Sequence, residues 1–113
     1  MRGLNLLNGP GNDMVAVTNL AAAGCHLILF TTGRGTPFGG FVPTIKISTN
    51  TDLAKHKSKW IDFDAGGIAR GESFEEKLDG LKELVVAIVN GQQTANERTG
   101  ARDIAIFKTG VTL

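Results

Sequence analysis

The feature that most constrains this chain is a short apolar run that passes directly into a polar, glycine-rich segment. The run from Leu27 to Phe30 predicts a buried strand, because it is short, apolar and bounded by polar residues. The next residues, 31–39, read TTGRGTPFG. Glycine lets backbone N–H groups approach a ligand closely, and the planar guanidinium of Arg34 suits a carboxylate or phosphate. We expect a ligand-binding loop here, with a glycine–proline turn and a solvated arginine as the plain alternative.

Length and composition indicate one domain and exclude several classes of partner. The chain has 113 residues, too few for two cores. Its net charge of +1 provides no basic excess of the kind that nucleic-acid binding requires. The basic cluster at residues 55–59 is short and predicts a solvated helix end. No apolar run reaches transmembrane length, so we expect no membrane partner.

Cysteine and histidine content argues against a disulfide or a transition-metal site within this chain. Cys25 is the single cysteine, which fits a reducing, cytoplasmic location and predicts a buried, inert thiol. His26 and His56 show no metal-ligand spacing. The first five residues predict no element of their own, and we interpret them either as a natural start or as the interior of a longer polypeptide.

Hydrophobic periodicity and capping residues predict alternating helices and strands. Helices are predicted over residues 13–23, 52–54 and 74–89, strands over residues 26–30, 42–48, 60–64 and 104–107, and a polar loop over residues 94–98. Asn12 or Asp13 is placed to cap the first helix, and Ser73 with Glu76 forms a capping box at the third. The order of elements predicts an α/β fold: a single three-layer domain whose mostly parallel sheet is flanked by helices.

Three polar segments follow predicted strands. They are the glycine-rich segment, residues 48–50 and residues 64–66. If the strands are parallel, these segments meet at one edge of the sheet, where ligands bind in open α/β folds. The first two strands lack an obvious crossover helix between them, so the sequence leaves their relative direction open.

Established catalytic motifs are absent from the sequence. The glycine spacing fits neither a dinucleotide fingerprint nor a phosphate-binding P-loop. Asp62 and Asp64 suit a cation site or acid–base chemistry, with solvent-facing carboxylates as the alternative; Gly66 breaks the calcium-loop pattern. Asn96 and Glu97 are candidate ligand contacts or ordinary loop residues. The residues alone therefore predict an arginine-bearing loop edge suited to a small, oxygen-rich anion.

Several segments of the chain resemble the carboxyl-terminal part of the altronate and galactarate dehydratase family. The resemblance runs from Gly11 onward and rests most strongly on residues 30–39, 42–50 and 60–66. Residues 90–97 and 104–113 look like the altronate branch rather than the galactarate branch. Members of the family are much longer, so the chain resembles a carboxyl-terminal domain or fragment of such an enzyme.

The resemblance implies a cytoplasmic hydro-lyase that removes water from D-altronate to give 2-keto-3-deoxy-D-gluconate in hexuronate breakdown. It also implies Fe²⁺ as cofactor, with unknown ligands expected mostly outside this chain. Partners would be the sugar acid, the remaining domains and, in an oligomer, further copies. The isolated domain is expected to be inactive. Alternatives are a galactarate dehydratase domain, a non-catalytic scaffold or dimerisation domain, and a stand-alone hydroxy-acid binding module.

The resemblance also assigns provisional roles to residues at the loop edge. Loss of a proton beside the substrate carboxylate builds negative charge that a cation must stabilise. Arg34, with the N–H groups of Gly33 and Gly35, is the candidate carboxylate clamp. Lys46 is a candidate base or second cation, with a surface lysine as the alternative. Candidate binders of sugar hydroxyls are Thr31, Thr32, Thr36, Ser48 and Asn50.

Overall fold

Three parallel strands form the centre of the computed structural model, which describes residues 2–106. They are β1 (Ile28–Thr32), β2 (Thr44–Ser48) and β3 (Phe63–Asp64), in the order β1-β2-β3. The register pairs Ile28 with Thr44 and Ile47 with Phe63. The predicted α/β class and parallel sheet are therefore confirmed. The irregular segment 33–43 makes the crossover from β1 to β2 without a helix.

Four α-helices surround the sheet, and each begins at a capping side chain. They are α1 (Asp13–Ala22), α2 (Thr51–His56), α3 (Phe74–Val89) and α4 (Ala95–Arg98), with a 3-10 turn at Gly66–Arg70. The N-terminal caps are Asn12, Asn50, Ser73 and Thr94, whose side chains each accept a backbone N–H three residues further on. The predicted caps at Asn12 and Ser73 are confirmed, but the predicted capping box is wrong: the Glu76 N–H donates to the Ser73 hydroxyl, and no return bond from the Ser73 N–H to the Glu76 carboxylate forms. The Ser73 hydroxyl donates to the Glu75 carboxylate instead.

The core is divided between the two faces of the sheet. On one face Val17 of α1 packs with Ile28 and Phe38. On the other face Ile45 and Ile47 pack against Ile88 of α3. All five residues of β2 are buried, because this central strand is covered on both faces. The result is the predicted three-layer arrangement.

α3 uses only part of its apolar surface for this packing. Leu81, Leu84 and Val85 lie against the core cluster around Ile88. Four further apolar side chains of the helix remain substantially exposed: Phe74, Leu78, Val86 and Val89. Among the helices of residues 2–106, none is long and apolar enough to cross a membrane.

Two predicted elements are wrong. Residues 104–106, predicted as a strand, join no strand ladder; the Ala105 N–H donates instead to the Thr18 hydroxyl, 3.1 Å away. Phe107 lies outside the described residues. The predicted polar loop at residues 94–98 contains α4, which a capping box between Thr94 and Glu97 initiates.

Several predicted boundaries also move. β1 begins two residues later than expected and continues through both threonines of the glycine-rich segment. β2 and β3 are shorter than predicted, whereas α2 extends as far as His56. Cys25, predicted to be buried, is half-buried against the α1 cluster.

Candidate functional site at the loop edge

The carboxyl ends of the three strands meet at one edge of the sheet. The register pairs Thr32 with Ser48, and Ser48 with Asp64. The loops that follow these residues therefore lie side by side, as predicted. We call this region the loop edge (residues 32–39, 48–50 and 64–66), and we call residues 33–39 within it the glycine loop.

The first half of the glycine loop is a tight turn that carries Arg34 at its tip. The Gly35 N–H donates to the Thr32 hydroxyl oxygen at 2.9 Å, and the Asn50 amide donates to the Gly33 carbonyl at 3.0 Å. Gly35 has a φ of +77°, and a Cβ there would lie 3.0 Å from the Leu53 side chain. Arg34 is exposed, and its guanidinium makes no hydrogen bond or ion pair with any of residues 2–106.

The second half of the glycine loop is held from beneath by Lys46. This lysine has no exposed surface, and its Nζ donates to the carbonyl oxygens of Thr36 and Phe38. Its Nζ also lies 4.8 Å from the centroid of the Phe38 ring. The alternative of a surface lysine is therefore wrong, because β2 is covered on both faces. The assignment of Lys46 as a base stays a prediction.

The electrostatic surroundings of Lys46 are mixed. Burial lowers the pKa of Lys46 to about 8, while the negative charges of Asp62, Asp103 and Asp13 oppose that shift. The three carboxylates therefore offset part of the effect of burial, and the ammonium form of Lys46 predominates at neutral pH.

Asp103 fixes the end of the glycine loop. Its carboxylate accepts the Gly39 N–H at 3.1 Å, and its own N–H donates to the Gly39 carbonyl at 2.6 Å. A Cβ at Gly39 would lie 2.2 Å from the Ala101 carbonyl oxygen, so this close approach requires glycine. Asp103 could not be predicted from the sequence, because a single acidic residue outside any motif carries no signal.

Asp62 and Asp64 are half-buried, and each carboxylate accepts hydrogen bonds from backbone N–H groups. The Asp62 carboxylate accepts the N–H groups of Lys46 at 2.9 Å and Ala95 at 2.6 Å, and burial raises its pKa despite these bonds. Partial burial would also raise the pKa of Asp64, but hydrogen bonds from the Gly66 N–H and the Thr51 hydroxyl hold it below its usual range. Neither carboxylate is fully solvent-facing, and a role for the pair in a cation site or in acid–base chemistry stays a prediction.

Most of the hydroxyl and amide groups predicted to bind substrate instead hold the loops together. The buried Ser48 hydroxyl donates to the Asn50 carbonyl at 2.5 Å. The Asn50 side chain caps α2 with its oxygen, 2.8 Å from the Leu53 N–H, and binds the glycine loop with its nitrogen. Thr31 lies on the opposite face of β1 from Thr32, with the exposed Leu29. The structure thus brings Thr32, Ser48 and Asn50 together but separates Thr31 from them.

A cleft of about 500 Å³ lies beside the second half of the glycine loop. One wall is formed by Thr36, Pro37 and Phe38, and the other by residues 11–14 at the start of α1. This volume is within the range of small-molecule sites. The glycine loop therefore borders solvent at its Arg34 tip and a cleft along its second half.

Asn96 and Glu97, the other candidate ligand contacts, lie in α4. The Glu97 carboxylate accepts the Thr94 N–H at 2.8 Å, so it stabilises the start of that helix. The Asn96 side chain is buried, and its amide group forms no hydrogen bond within residues 2–106. The spacing of Thr94 and Glu97 is the signal that identifies this helix start.

Comparison with known proteins identifies relatives over almost the whole chain. Residues 1–112 match the family described as D-galactarate/Altronate dehydratase, C-terminal. The chain is 58% identical over 111 residues to the altronate dehydratase of Escherichia coli (strain K12) and 50% identical over 115 residues to that of Bacillus subtilis (strain 168). It is 36% identical over 110 residues to the galactarate dehydratase (L-threo-forming) of E. coli.

These alignments cover 98%, 99% and 94% of this chain, but only 22%, 23% and 21% of the three relatives. The chain therefore spans about a fifth of the length of the curated proteins that it matches.

Proposed function

The chain belongs to the D-galactarate/altronate dehydratase C-terminal family, and we propose that it is the carboxyl-terminal part of an altronate dehydratase. The identity to the two altronate dehydratases, 58% and 50%, supports D-altronate over galactarate, whose dehydratase is 36% identical. The proposed reaction is the removal of water from D-altronate to give 2-keto-3-deoxy-D-gluconate. We place this activity in cytoplasmic hexuronate breakdown.

The position of Arg34 is the observation that supports a substrate-binding role for this domain. Its guanidinium is exposed at the tip of a turn that Thr32 and Asn50 hold in place. A guanidinium binds a carboxylate through two parallel hydrogen bonds and keeps its charge at any physiological pH. We therefore assign Arg34 to the carboxylate of the sugar acid.

This assignment fits the charge that develops during dehydration. Removal of the proton beside the carboxylate moves negative charge onto the carboxylate oxygens, and the next step expels the β-hydroxyl. A fixed cation at those oxygens stabilises the intermediate more than the substrate, which is the requirement for catalysis. In this proposal Arg34 supplies that cation, and the Thr36 hydroxyl is the remaining candidate for contact with the sugar. Thr31 lies on the opposite face of β1 and is not part of the proposed site.

Gly33 and Gly35 contribute mainly through the shape of the turn. The Gly35 N–H already donates to the Thr32 hydroxyl, so Gly35 shapes the clamp without being a free donor. Thr32, Ser48 and Asn50 likewise act in this proposal by fixing the loops, since their hydrogen bonds join one loop to the next.

The described part of this chain does not fit a complete iron site. Within residues 2–106, no group of three or more His, Cys, Asp or Glu side chains is placed to hold a metal ion. We therefore propose that other parts of the longer enzyme hold the Fe²⁺ expected from the family resemblance. The roles proposed for Arg34 and the glycine loop do not depend on it.

A second candidate function is that of a scaffold or dimerisation domain within the same enzyme. Four apolar side chains of α3, which we call the exposed α3 side chains, favour it: Phe74, Leu78, Val86 and Val89. Such a surface is typical of contact with other domains or with further copies. The two functions differ in whether substrate reaches the loop edge.

Replacement of Arg34 in the full-length enzyme tests the first function. We expect Arg34→Ala to lower kcat/KM for D-altronate at least tenfold, the scale of losing one charge-stabilising donor, with an unchanged melting temperature. Arg34→Lys should restore part of the activity. Arg102→Ala, which removes another exposed arginine, is the matched control and should leave activity unchanged. Wild-type turnover in Arg34→Ala would assign the loop edge to the scaffold function.

The isolated chain provides a second test. Because the proposed site is completed by other parts of the enzyme, the 113-residue chain should not dehydrate D-altronate. Turnover by this chain with added Fe²⁺ would show that its own residues form a complete site.

A further inference from the structure

We propose that Lys46 is a positioning residue, which holds the glycine loop in the shape that presents Arg34 and does not itself react with substrate. This inference rests on the proposed function, because it gives Lys46 a role in binding the same carboxylate. In this role, the ammonium group of Lys46 binds backbone carbonyls of the glycine loop.

The contacts of the ammonium group support this role. The Nζ donates to the carbonyl oxygens of Thr36 and Phe38, both of which belong to the glycine loop. Its remaining close neighbour is the Phe38 ring, which is itself buried and packs edge-to-face on Phe30 at 5.5 Å. Since Lys46 has no exposed surface, a substrate would reach its Nζ only after the loop had moved away.

The positions of these contacts explain how they act on Arg34. Asn50 binds the loop at Gly33, and Thr32 binds it at Gly35. Lys46 binds it further along, two and four residues after Arg34. The loop backbone is therefore anchored on both sides of Arg34. Without the Lys46 contacts, the glycines of this segment would allow the loop more backbone conformations, and the backbone of Arg34 would lose its fixed position.

Charged groups from three parts of the fold surround the ammonium group. Asp62 precedes β3, Asp103 lies in the segment after α4, and Asp13 begins α1; all three favour the charged form. Burial has the opposite and larger effect, so the pKa of Lys46 falls to about 8. Above that pH the neutral amine forms weaker hydrogen bonds with the two carbonyls. The anchor should therefore weaken as the pH rises above about 8.

Hydrogen–deuterium exchange of the full-length enzyme, followed by mass spectrometry, tests the anchor without reference to catalysis. We expect Lys46→Met to raise the exchange rate of amides in residues 33–39 at least tenfold, and Lys46→Arg to restore most of the protection. The matched control, Lys59→Met, removes an exposed lysine and should match the wild type. Unchanged exchange of the glycine loop in Lys46→Met would overturn the proposal.

Steady-state kinetics with D-altronate then separate positioning from chemistry. Lys46→Met should raise KM more than it lowers kcat, and Lys46→Arg should recover activity. The double variant Arg34→Ala/Lys46→Met should match Arg34→Ala within about twofold, because Lys46 acts through Arg34. A collapse of kcat with unchanged KM, not rescued by arginine, would overturn the proposal and support the base assignment. If the activity loss of the double variant equalled the product of the two single losses, that result would also contradict the proposal.

The wild-type enzyme provides a version of the test that needs no folded variant. Its KM for D-altronate should rise between pH 8 and pH 10, the range in which Lys46 loses its proton. A constant KM over this range would contradict the anchor. If the wild-type enzyme does not turn over D-altronate at all, the proposed function fails, while the exchange experiment still decides the role of Lys46.

Discussion

The loop edge with the lysine beneath it and the exposed α3 side chains invert the usual distribution of polar and apolar side chains. Ser48 of the loop edge and Lys46 beneath the glycine loop have no exposed surface. On α3, Phe74 and Val86 are each 58% exposed and Val89 is 70% exposed. Buried polar groups and exposed apolar groups are the informative departures from the general pattern of folded proteins.

The two regions are stabilised by different forces. The loop edge depends on directional hydrogen bonds, in which each side chain binds a particular backbone group. α3 is held by apolar contacts along one side, and these tolerate changes of side chain more readily. Substitutions at the loop edge should therefore affect the site directly, whereas substitutions on α3 should affect stability or association.

Ile88→Ala on the packed side of α3 should have the largest effect. Ile88 is 5% exposed and packs with Ile45 and Ile47, so its truncation should lower the free energy of unfolding by about 2–5 kcal/mol. Val86→Ala, at one of the exposed α3 side chains, is the control and should change it by less than about 0.5 kcal/mol. Urea denaturation measures both. An equal loss in the two variants would show that Val86 is covered in the protein.

The pH dependence of stability should reveal the buried lysine. The native state gives up the Lys46 proton near pH 8, but the unfolded chain keeps it to about pH 10.5. The unfolded state therefore binds more protons in between, and the free energy of unfolding should rise with pH. The upper bound is on the order of 3 kcal/mol, from 1.36 kcal/mol per pKa unit.

Lys46→Met should lose this rise in stability, since the titrating group is absent. Urea denaturation at pH 7, 8, 9 and 10 measures the free energy of unfolding of the wild type and of Lys46→Met. The chain contains no tyrosine, whose phenol would titrate in the same pH range. Parallel curves for the wild type and the variant would contradict the burial of a titrating ammonium group. The same pH range should weaken substrate binding, so stability and affinity should change in opposite directions.

Gly66→Ala should test how closely the loops pack at the loop edge. A Cβ at this position would lie 2.3 Å from the Thr51 nitrogen and 2.6 Å from the Asn50 backbone. Since these are backbone atoms, we expect a loss of about 1–3 kcal/mol, measured by thermal or urea unfolding. At Gly11 a Cβ would have no atom within 4 Å, so Gly11→Ala is the control. Equal stability of the two variants would indicate a loosely packed edge.

Gly80→Ala should have the smallest effect and the opposite sign. Gly80 lies inside α3, and a Cβ there would lie 3.6 Å from the Phe63 ring, an ordinary contact distance. Alanine should therefore stabilise the helix by about 0.5–1 kcal/mol, visible as a higher melting temperature. Lower stability would mean that α3 packs more tightly on Phe63 than this distance indicates.

Features encoded by neighbouring residues could be predicted from the sequence. The caps at Asn12 and Ser73 depend on side chains within one helical turn of the helix start. The meeting of the polar loops follows from the α/β order once the strands are parallel. The turn that exposes Arg34 likewise depends on its own glycines and on Thr32.

Features that depend on distant contacts could not be predicted in the same way. The alternation in β2 places Lys46 on the polar face, but only the packing of Phe38 and α1 over that face buries it. Asp103 reaches Gly39 across 64 positions of sequence. The apolar run at residues 104–106 resembles a strand, yet a strand forms only where a partner edge is available.

Hydrogen–deuterium exchange of the full-length enzyme with and without D-altronate tests the central claim most directly, because it compares the two regions in one experiment. The account predicts that substrate slows exchange of the amides in residues 33–39, while peptides from α3 (Phe74–Val89) are unchanged. A glycine loop that exchanges at the same rate with and without bound substrate would contradict the claim that the loop edge contributes to the sugar-acid site.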